Sequence, residues 1–150
     1  MKNVIGRMNP MVKKLWIKAL ETSRLPNGKR IYQGNGRLCK INTAGKRELH
    51  CCLGVLEEIH AIAHPDNVRI EKIDDQKIFN NNSNILSEAT RKWTGLDSND
   101  PTLFFAKQNI KCLASGANDG DPYTSTRDGR AKAIKKQSFK KIAEAIRISW

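Results

Sequence analysis

Apolar residues recur at intervals of three and four in several segments, which is the spacing of a helix with one buried face. The first such segment follows Asn9 and Pro10, which fit the N-cap and the first position of a helix. Its apolar positions are Met11, Val12, Leu15, Trp16, Ala19 and Leu20. The pattern predicts an amphipathic helix that ends before the turn residues 26–28.

The clearest helical pattern covers residues 50–63. Its predicted buried face comprises Cys52, Val55, Leu56, Ile59 and either Ile62 or Ala63. Gly54 lies inside this helix, where glycine costs about 1 kcal/mol relative to alanine. A glycine at that position indicates close approach of a neighbouring element, and Pro65 ends the helix.

Two later segments are also predicted to be helical. Ser87 fits the N-cap and Gly95 the C′ position of a short helix, with Trp93 facing inward. Ser138 fits the N-cap of the last helix. The apolar stripe of that helix comprises Phe139, Ile142, Ala143, Ile146 and Trp150.

Alternation of polar and apolar residues predicts two β-hairpins. The first covers residues 30–42, with a glycine-containing turn at 33–36. A polar connection at 43–48 follows it. The second hairpin covers residues 68–79 and turns at 74–75.

The remaining segments have weaker patterns. Residues 103–113 fit neither a helix nor a strand clearly, and residues 115–130 are predicted to form a loop because they are rich in Gly, Asp, Asn, Ser and Thr. A loop of about 15 residues is typical of a functional or mobile segment. Together the elements predict an α+β protein: a single compact domain over 1–150, with about four helices packed on one or two β-hairpins, and a mobile loop or insert at about 115–137.

The charge of the chain narrows its expected partners. The formal net charge is +12 over 150 residues. Residues 1–50 hold twelve Lys or Arg and two acids, for a net of +10, and residues 125–150 hold eight and two, for a net of +6. Residues 51–124 hold seven and eleven, for a net of −4. If the two basic ends meet in the fold, they form one electropositive face, and the expected partner is an anion: nucleic acid, a nucleotide or an acidic protein.

No feature of the sequence directs the chain to a membrane. The first ten residues, MKNVIGRMNP, lack the apolar core of a signal peptide, and no run approaches the ~20 apolar residues of a membrane span. We therefore expect a cytoplasmic protein with no membrane partner. Because the cytoplasm keeps thiols reduced, free thiols are expected at Cys39, Cys51, Cys52 and Cys112.

Metal-binding motifs are incomplete in the sequence. The cysteines lack the C-x2-C spacing of zinc sites. His60 and His64 lie four residues apart and would face together on a helix, but no carboxylate or thiolate is placed to complete a ligand set. The acidic segment 118–121 lacks the regular ligands of a calcium loop. We expect neither a metal nor another cofactor.

Groups for covalent chemistry are few. Cys51 and Cys52 lie near the start of a helix, where the pKa of a thiol is lowered, and His50 is adjacent. Cys52, however, belongs to the predicted buried face, and buried thiols are usually inert. Cys51, His50 and Asp119 are the candidate reacting groups for an enzyme, but we favour a non-enzymatic protein.

Cations and aromatic rings occur together around the glycine-containing turn, which suggests an anionic nucleotide as ligand. Phosphates would be held by Arg30, Arg37 and Lys40, and a base would stack on an aromatic ring. Asn118 and Asp119 would hydrogen-bond a base or a ribose. The predicted ligand-binding residues are Arg30, Tyr32, Gln33, Gly34, Gly36, Arg37, Lys40, His50, Trp93, Asn118 and Asp119.

The basic segment near the C-terminus offers an alternative, which is non-specific contact with nucleic acid. Lysines along a helix face each neutralise a phosphate, which makes affinity sensitive to salt. No helix-turn-helix, RNP or basic-zipper signature accompanies the segment. The residues concerned are Arg127, Arg130, Lys132, Lys135, Lys136, Lys140 and Lys141.

Six segments carry distinctive motifs: WIKALETSR (16–24), YQGNGRL (32–38), HCCLGVLEE (50–58), SEATRKWTGLDSNDPTL (87–103), AND (117–119) and SFKKIAEAI (138–146). Together they resemble a family of small uncharacterised bacteriophage proteins. That family has a C-C-L-G-V-L helix and, near its end, an N-D pair followed by S-F-x-x-I-A. Members of the family have only a few residues between N-D and S-F. This chain has about eighteen, 120–137, and a shared function should not depend on them.

The resemblance implies a virus-encoded protein acting in the cytoplasm of a bacterial host, and it implies no known reaction. Because small accessory phage proteins often inhibit host defences, we expect a protein that sequesters an anionic nucleotide signal of an antiviral system. The alternatives are a basic nucleic-acid-binding accessory protein and an inhibitor that docks on a host defence protein. Association with a second copy of the chain is left open.

Overall fold

The predicted helices form where their capping residues place them in the computed structural model, which describes residues 7–42 and 47–150. Asn9 caps the first helix, since its side-chain oxygen accepts a hydrogen bond from the backbone N of Met11 at 2.9 Å. Ser87 and Ser138 cap the helices that follow them, and Gly95 ends one with a φ of 81°. The helices are α1 (Pro10–Thr22), α2 (Cys52–Ala63), α3 (Glu88–Thr94), α4 (Ala114–Asp119) and α5 (Phe139–Ser149), with a 3-10 turn at Pro65–Asn67.

Eight short strands form two sheets in the described part of the chain. The strands are β1 (Tyr32–Gln33), β2 (Cys39–Asn42), β3 (Arg47–His50), β4 (Ile70–Ile73), β5 (Gln76–Phe79), β6 (Thr102–Phe105), β7 (Ile110–Leu113) and β8 (Ser125–Thr126). The five-stranded sheet has the order β1-β3-β2-β5-β4 and the three-stranded sheet the order β6-β7-β8. The predicted α+β class is confirmed, and so is the second hairpin, formed by β4 and β5.

The first predicted hairpin, over 30–42, is wrong. Strand β1 runs parallel to β3, with Tyr32 opposite Leu49, and it is β2 and β3 that form the antiparallel hairpin. Residues 33–36 do not turn the chain back because the backbone of Gly34 is fixed on both sides. Its N donates to the carbonyl of His50 at 2.8 Å, and its own carbonyl accepts from Asn118 at 2.7 Å.

The predicted polar connection at 43–48 is also wrong at its end, where Arg47 and Glu48 belong to β3. Residues 43–46 of that prediction lie outside the described residues. The unassigned segment 103–113 forms most of the β6–β7 hairpin. It escaped assignment because alternation over only four residues per strand is a weak signal.

The predicted loop over 115–130 is partly wrong. Its first residues form α4, whose Ala117 and Asn118 are buried. The later residues are tied back by paired backbone hydrogen bonds between Asp121 and Ile134, at 2.9 and 2.7 Å. Burial and these backbone pairings override the loop tendency of the glycines and aspartates. Neither can be predicted from local composition.

The core lies between α1, α2 and α5 and the sheets. Trp16 is fully buried and donates from Nε1 to the carbonyl of Cys52 at 2.9 Å. Helix α1 also packs on α5, where the ring of Trp150 lies 6.5 Å from that of Trp16. Met11 is the exception in the predicted apolar stripe, since it is 70% exposed. Within residues 7–42 and 47–150, every helix is too short or too polar to cross a bilayer.

Packing of α1 on α5 brings the two basic ends of the sequence together. Lys13 of α1 donates from Nζ to the backbone carbonyls of Arg147, at 3.1 Å, and of Trp150. Arg147 in turn forms an ion pair with Glu21 of α1. Helices from the two basic ends of the sequence therefore lie next to each other.

Candidate functional site

A recess of about 300 Å³ lies between the start of β1 and the N-terminal end of α5. Its volume is at the lower end of the range for small-molecule sites, about 300–1,000 Å³. It joins residues from opposite ends of the sequence. The lining residues are Leu20, Ser23, Arg30, Ile31, Tyr32, Gln33, Ser138, Phe139 and Lys140.

The rim of this recess is cationic. Arg30 and Lys140 are exposed, and neither forms an ion pair with an acid among residues 7–42 and 47–150. The guanidinium carbons of Arg30 and Arg47 lie 5.5 and 4.6 Å from the centre of the Tyr32 ring. The N-terminal end of α5 adds the partial positive charge of its helix dipole. These groups make the recess suited to a phosphate or another compact anion.

Gln33 fixes the wall of the recess where β1 meets α5. Its Oε1 accepts from the backbone N of Phe139 at 3.0 Å. Its Nε2 donates to the carbonyl of Gln137 at 2.8 Å and to Oδ1 of Asn118 at 3.1 Å. The side-chain amide thus uses both donors and an acceptor within the chain, so its role here is to position α5 rather than to contact a ligand.

Asn118 is the centre of a second set of hydrogen bonds and is fully buried. Its Oδ1 also accepts from the backbone N of Cys52 at 3.2 Å, at the start of α2. Its Nδ2 donates to the carbonyl of Gly34 at 2.7 Å and to Oδ1 of Asp119 at 3.0 Å. Oδ1 of Asp119 accepts from the backbone N of Gly36 at 3.1 Å. The two motifs Q-G-N-G and N-D therefore bind each other.

The structure thus brings five of the predicted ligand residues together. Their polar groups hydrogen-bond within the chain and are not free to bind a ligand. The five residues are Gln33, Gly34, Gly36, Asn118 and Asp119. Arg37 and Lys40, the other predicted phosphate contacts, are exposed and do not line the recess. The guanidinium of Arg37 donates to Oδ1 of Asn84 at 3.3 Å. Of the predicted set, Arg30, Tyr32 and Gln33 line the recess. Sequence reasoning missed Arg47 and the wall formed by Ser138.

Trp93 lies away from the recess, against α2. Its ring stacks on that of His60 at 4.4 Å between centroids. Nδ1 of His60 lies 2.7 Å from Oγ1 of Thr90, which itself donates to Oε2 of Glu57 at 2.7 Å. Thr90 therefore accepts from a protonated Nδ1, and Nε2 of His60 is the buried nitrogen without a partner among the described residues. These contacts attach α3 to α2.

Protonation of His60 is expected to destabilise the fold. Burial, and secondarily the nearby His64, lowers the pKa of His60 from 6.5 to about 4. The unfolded chain therefore takes up a proton that the folded chain resists. The stabilising contribution is complete above pH 6.5 and is lost as the pH falls toward 4. Urea unfolding at a series of pH values measures this loss.

The variant His60→Gln separates the pH dependence of stability that is due to His60 from that of other titrating groups. Burial raises the pKa of Glu57, so that carboxyl contributes with the opposite sign. We expect the free energy of unfolding of His60→Gln to fall less steeply between pH 6.5 and 4 than that of the wild type. The exposed control His64→Gln should retain most of the slope. Equal slopes in the wild type and His60→Gln would contradict the assignment.

His50 lies inside the molecule rather than at the recess. It is fully buried at the end of β3, and its Nε2 is 3.7 Å from Oε2 of Glu58. Lys77 donates to Glu58 at 2.9 Å and to Glu48 at 3.2 Å. Burial alone would raise the pKa of Glu58, but the nearby His50 and the Lys77 ammonium lower it to about 2. This charged cluster was not predicted, because its members come from two strands, β3 and β5, and from helix α2.

The four cysteines are free thiols, as predicted, and all are buried. Cys51 caps α2, accepting at Sγ from the backbone N of Gly54 at 3.4 Å. Burial nevertheless raises the pKa of Cys51 to about 12 and raises that of Cys52 as well. A nucleophilic cysteine needs a shift in the other direction, so the geometry gives no support to Cys51 as a reacting group.

A second concave surface lies along the contact of α1 with α5. It has a volume of about 420 Å³ and includes Lys13, Lys14, Lys18 and Arg147. Two of these cations are already engaged, because Lys13 bonds the last carbonyls of the chain and Arg147 pairs with Glu21. The surface adjoins the C-terminal end of α5, where the helix dipole is negative. It is therefore less favourable to a compact anion than the recess.

The basic segment proposed for nucleic acid does not form one helical face. Only Lys140 and Lys141 belong to α5. The others precede the helix, and Arg127 packs over the ring of Phe104 at 5.2 Å. The remaining members, all exposed, are Arg130, Lys132, Lys135 and Lys136.

The model of one protein family, described as a domain of unknown function, DUF8296, matches residues 8–149. No curated protein and no solved structure matches the chain. The matched range contains the recess, the hydrogen bonds of Asn118 and the charged cluster around His50. These features therefore lie within the family domain.

Proposed function

The chain belongs to the DUF8296 family, and we propose that this member is a non-enzymatic binding protein for an anionic nucleotide. In this proposal it is encoded by a bacteriophage, acts in the host cytoplasm and sequesters a nucleotide signal of antiviral defence. The observation that carries the proposal is the recess in which Arg30, Tyr32 and Lys140 meet. The resemblance to phage proteins and the net charge of +12 support its context.

Phosphate groups would occupy the space between Arg30, Lys140 and the start of α5. Both side chains are exposed cations without an acidic partner in the described residues, so no existing ion pair must be broken when an anion binds. The hydrogen bond from the backbone N of Phe139 to Gln33 fixes the helix start in advance. Such preorganisation increases affinity because less conformational entropy is lost on binding.

The aromatic side of the recess is the ring of Tyr32, whose surroundings favour a charged ligand. Arg47 lies over this ring at 4.6 Å, so a base would stack there only by displacing the guanidinium or by packing against its outer face. Arginine planes stack on bases as well as on aromatic rings. The recess therefore favours a ligand that combines phosphates with a planar group.

Calorimetric titration tests the proposal, with a cyclic dinucleotide and ADP-ribose as probes. We expect one of them to bind at tens of micromolar or tighter. The variants Arg30→Gln and Lys140→Gln should each weaken binding by about tenfold, the effect of losing one charge-assisted contact worth about 1.4 kcal/mol. The control Lys72→Gln removes the same charge from β4, at the other edge of the sheet from β1, and should bind as the wild type does.

Absence of binding at tens of micromolar to both probes would count against the proposal. Equal losses in Lys72→Gln and Lys140→Gln would also count against it, because they would show that the ligand responds to overall charge alone.

A second candidate, non-specific binding to nucleic acid, is favoured by one observation. Lys14 and Lys18 of α1 are exposed on the side of the molecule shared with α5. This candidate predicts that affinity for a DNA duplex falls steeply with salt and is insensitive to Lys140→Gln alone. A flat salt response would exclude it.

A further inference from the structure

The pairing of three strands places metal-binding side chains on one face of the larger sheet. Cys39 of β2 lies opposite both His50 of β3 and Lys77 of β5. Glu48 precedes His50 by two residues in β3, so the two side chains point to the same face. Register alone thus collects a thiol, an imidazole and a carboxylate, which the spacing along the sequence does not reveal.

The donor atoms of this group are close together. One ligand atom each of Cys39, Glu48 and His50 lies within 4.8 Å of the other two. Zinc bonds of about 2.0–2.3 Å place tetrahedral donors about 3.3–3.8 Å apart. The three atoms would therefore have to approach one another by at most about 1.0–1.5 Å to bind one zinc ion.

His50 gives an independent reason to expect a ligand. Its side chain is fully buried, and neither ring nitrogen has a hydrogen-bond partner among the described residues. A buried imidazole without a partner is costly, since each unmade hydrogen bond loses about 1–3 kcal/mol. The nearest carboxylate oxygen of Glu58 is 3.7 Å from Nε2, which is too far for a hydrogen bond.

We propose that Cys39, His50 and Glu48 form a binding site for a divalent transition-metal ion of the zinc class. Sulfur, nitrogen and oxygen donors together suit zinc and cobalt better than magnesium or calcium, which prefer oxygen alone. The Cys39 thiol would release its proton to solvent, because a thiol that coordinates a metal is deprotonated. This site is separate from the recess and does not depend on the proposed nucleotide function.

Glu48 connects the proposed metal site to solvent, and Lys77 contributes to its charge balance. The Glu48 side chain is 14% exposed and pairs with Lys29, which is 47% exposed, so Glu48 is the member of the group that reaches solvent. Lys77 contacts Glu58 at 2.9 Å as well as Glu48. It keeps the Glu58 partner when Glu48 turns to a metal. The ammonium therefore balances the remaining buried carboxylate in the loaded state.

Titration of the tag-free 150-residue chain with metal tests the site. After treatment with a chelator, we expect calorimetry to show one Zn²⁺ bound per chain. With Co²⁺ as probe, we expect thiolate-to-metal charge-transfer absorption and the visible bands of a tetrahedral site. Wild-type protein that remains folded by circular dichroism and binds no Zn²⁺ at tens of micromolar overturns the proposal.

Three variants and a control locate the site. His50→Gln and Glu48→Gln should weaken zinc binding by about tenfold or more, since even outer partners of metal ligands change affinity by about 10–100-fold. Cys39→Ser should remove the charge-transfer band. Cys112→Ser alters a buried thiol that contacts the carbonyl of Leu113 instead and should bind as the wild type does.

Partly exposed Glu48 keeps the proposal testable if the variants of buried residues fail to fold. A folded Glu48→Gln that binds zinc with wild-type affinity contradicts the assignment of Glu48. A charge-transfer band that survives in folded Cys39→Ser overturns the site.

Discussion

Replacing Gly54 by alanine is expected to lower the free energy of unfolding by about 4 kcal/mol or more. In an unconstrained helix the same change stabilises by about 1 kcal/mol. In α2, however, a Cβ atom at position 54 would lie 2.7 Å from the carbonyl carbon of Leu38 and far inside contact with its oxygen. That oxygen also accepts from the backbone N of Cys51 at 3.2 Å, so the chain cannot move away without losing a buried bond. Urea unfolding followed by circular dichroism measures the change.

The matched control is Gly116→Ala in α4. A Cβ atom there would meet side-chain atoms, namely Sγ of Cys112 at 3.0 Å and Oδ2 of Asp121 at 3.1 Å. Because side chains rotate more easily than backbone shifts, we expect a change within about 1 kcal/mol. A Gly54→Ala variant as stable as the wild type would show that Leu38 does not pack on α2 as described.

The second large effect is expected for Asn118→Ala, which should cost about 3–5 kcal/mol. Asn118 is fully buried, and truncation leaves the backbone N of Cys52 and the carbonyl of Gly34 without their partner. Each buried group left unpaired costs about 1–3 kcal/mol. Gln33 also loses one of its acceptors, so the wall of the recess should loosen. Chemical unfolding measures the cost.

Asn84→Ala is the control for the loss of an asparagine. Asn84 is exposed and accepts a hydrogen bond from Arg37 at 3.3 Å, so its removal should change stability by less than about 0.5 kcal/mol. Similar small effects in both variants would mean that the Asn118 hydrogen bonds contribute little. The Q-G-N-G and N-D motifs would then need another explanation.

Signals that act within one turn or one helix were sufficient to predict much of the fold. Asn9, Ser87 and Ser138 start their helices through their own side chains, and Gly95 ends one through its own φ angle. Gly54 revealed a close neighbour because glycine is unfavourable in a helix unless space demands it. Sequence could show that something approaches Gly54, but not that it is the carbonyl of Leu38.

Features that depend on distant pairings were not predictable. Alternation in residues 30–42 indicates strands but not which strand each one pairs with. It is equally compatible with pairing of β1 to β2 or to β3, so it could not show that β1 joins β3 in parallel. Helix α2 is buried around Glu57 and Glu58 as well as its apolar face. Their partners, Ser87 and Lys77, lie far along the chain, and no periodicity records such contacts.

Only part of the candidate site was predictable from the sequence, and its architecture was not. Arg30 and Tyr32 were expected to contact a ligand, and they do line the recess. Lys140 was assigned to nucleic acid as part of the basic segment. Its place at the recess was missed because the sequence does not show that the packing of α5 brings it close to β1. Asn118 was expected to face a ligand, whereas its polar atoms bond the chain itself.

An amide-resolved NMR titration of the labelled protein with the tighter-binding nucleotide determines whether the ligand occupies the recess. We expect the largest shift changes at residues around the recess, which are Tyr32, Gln33, Phe139 and Lys140. Changes confined to the cleft between α1 and α5, or no changes at a saturating concentration, would contradict this expectation.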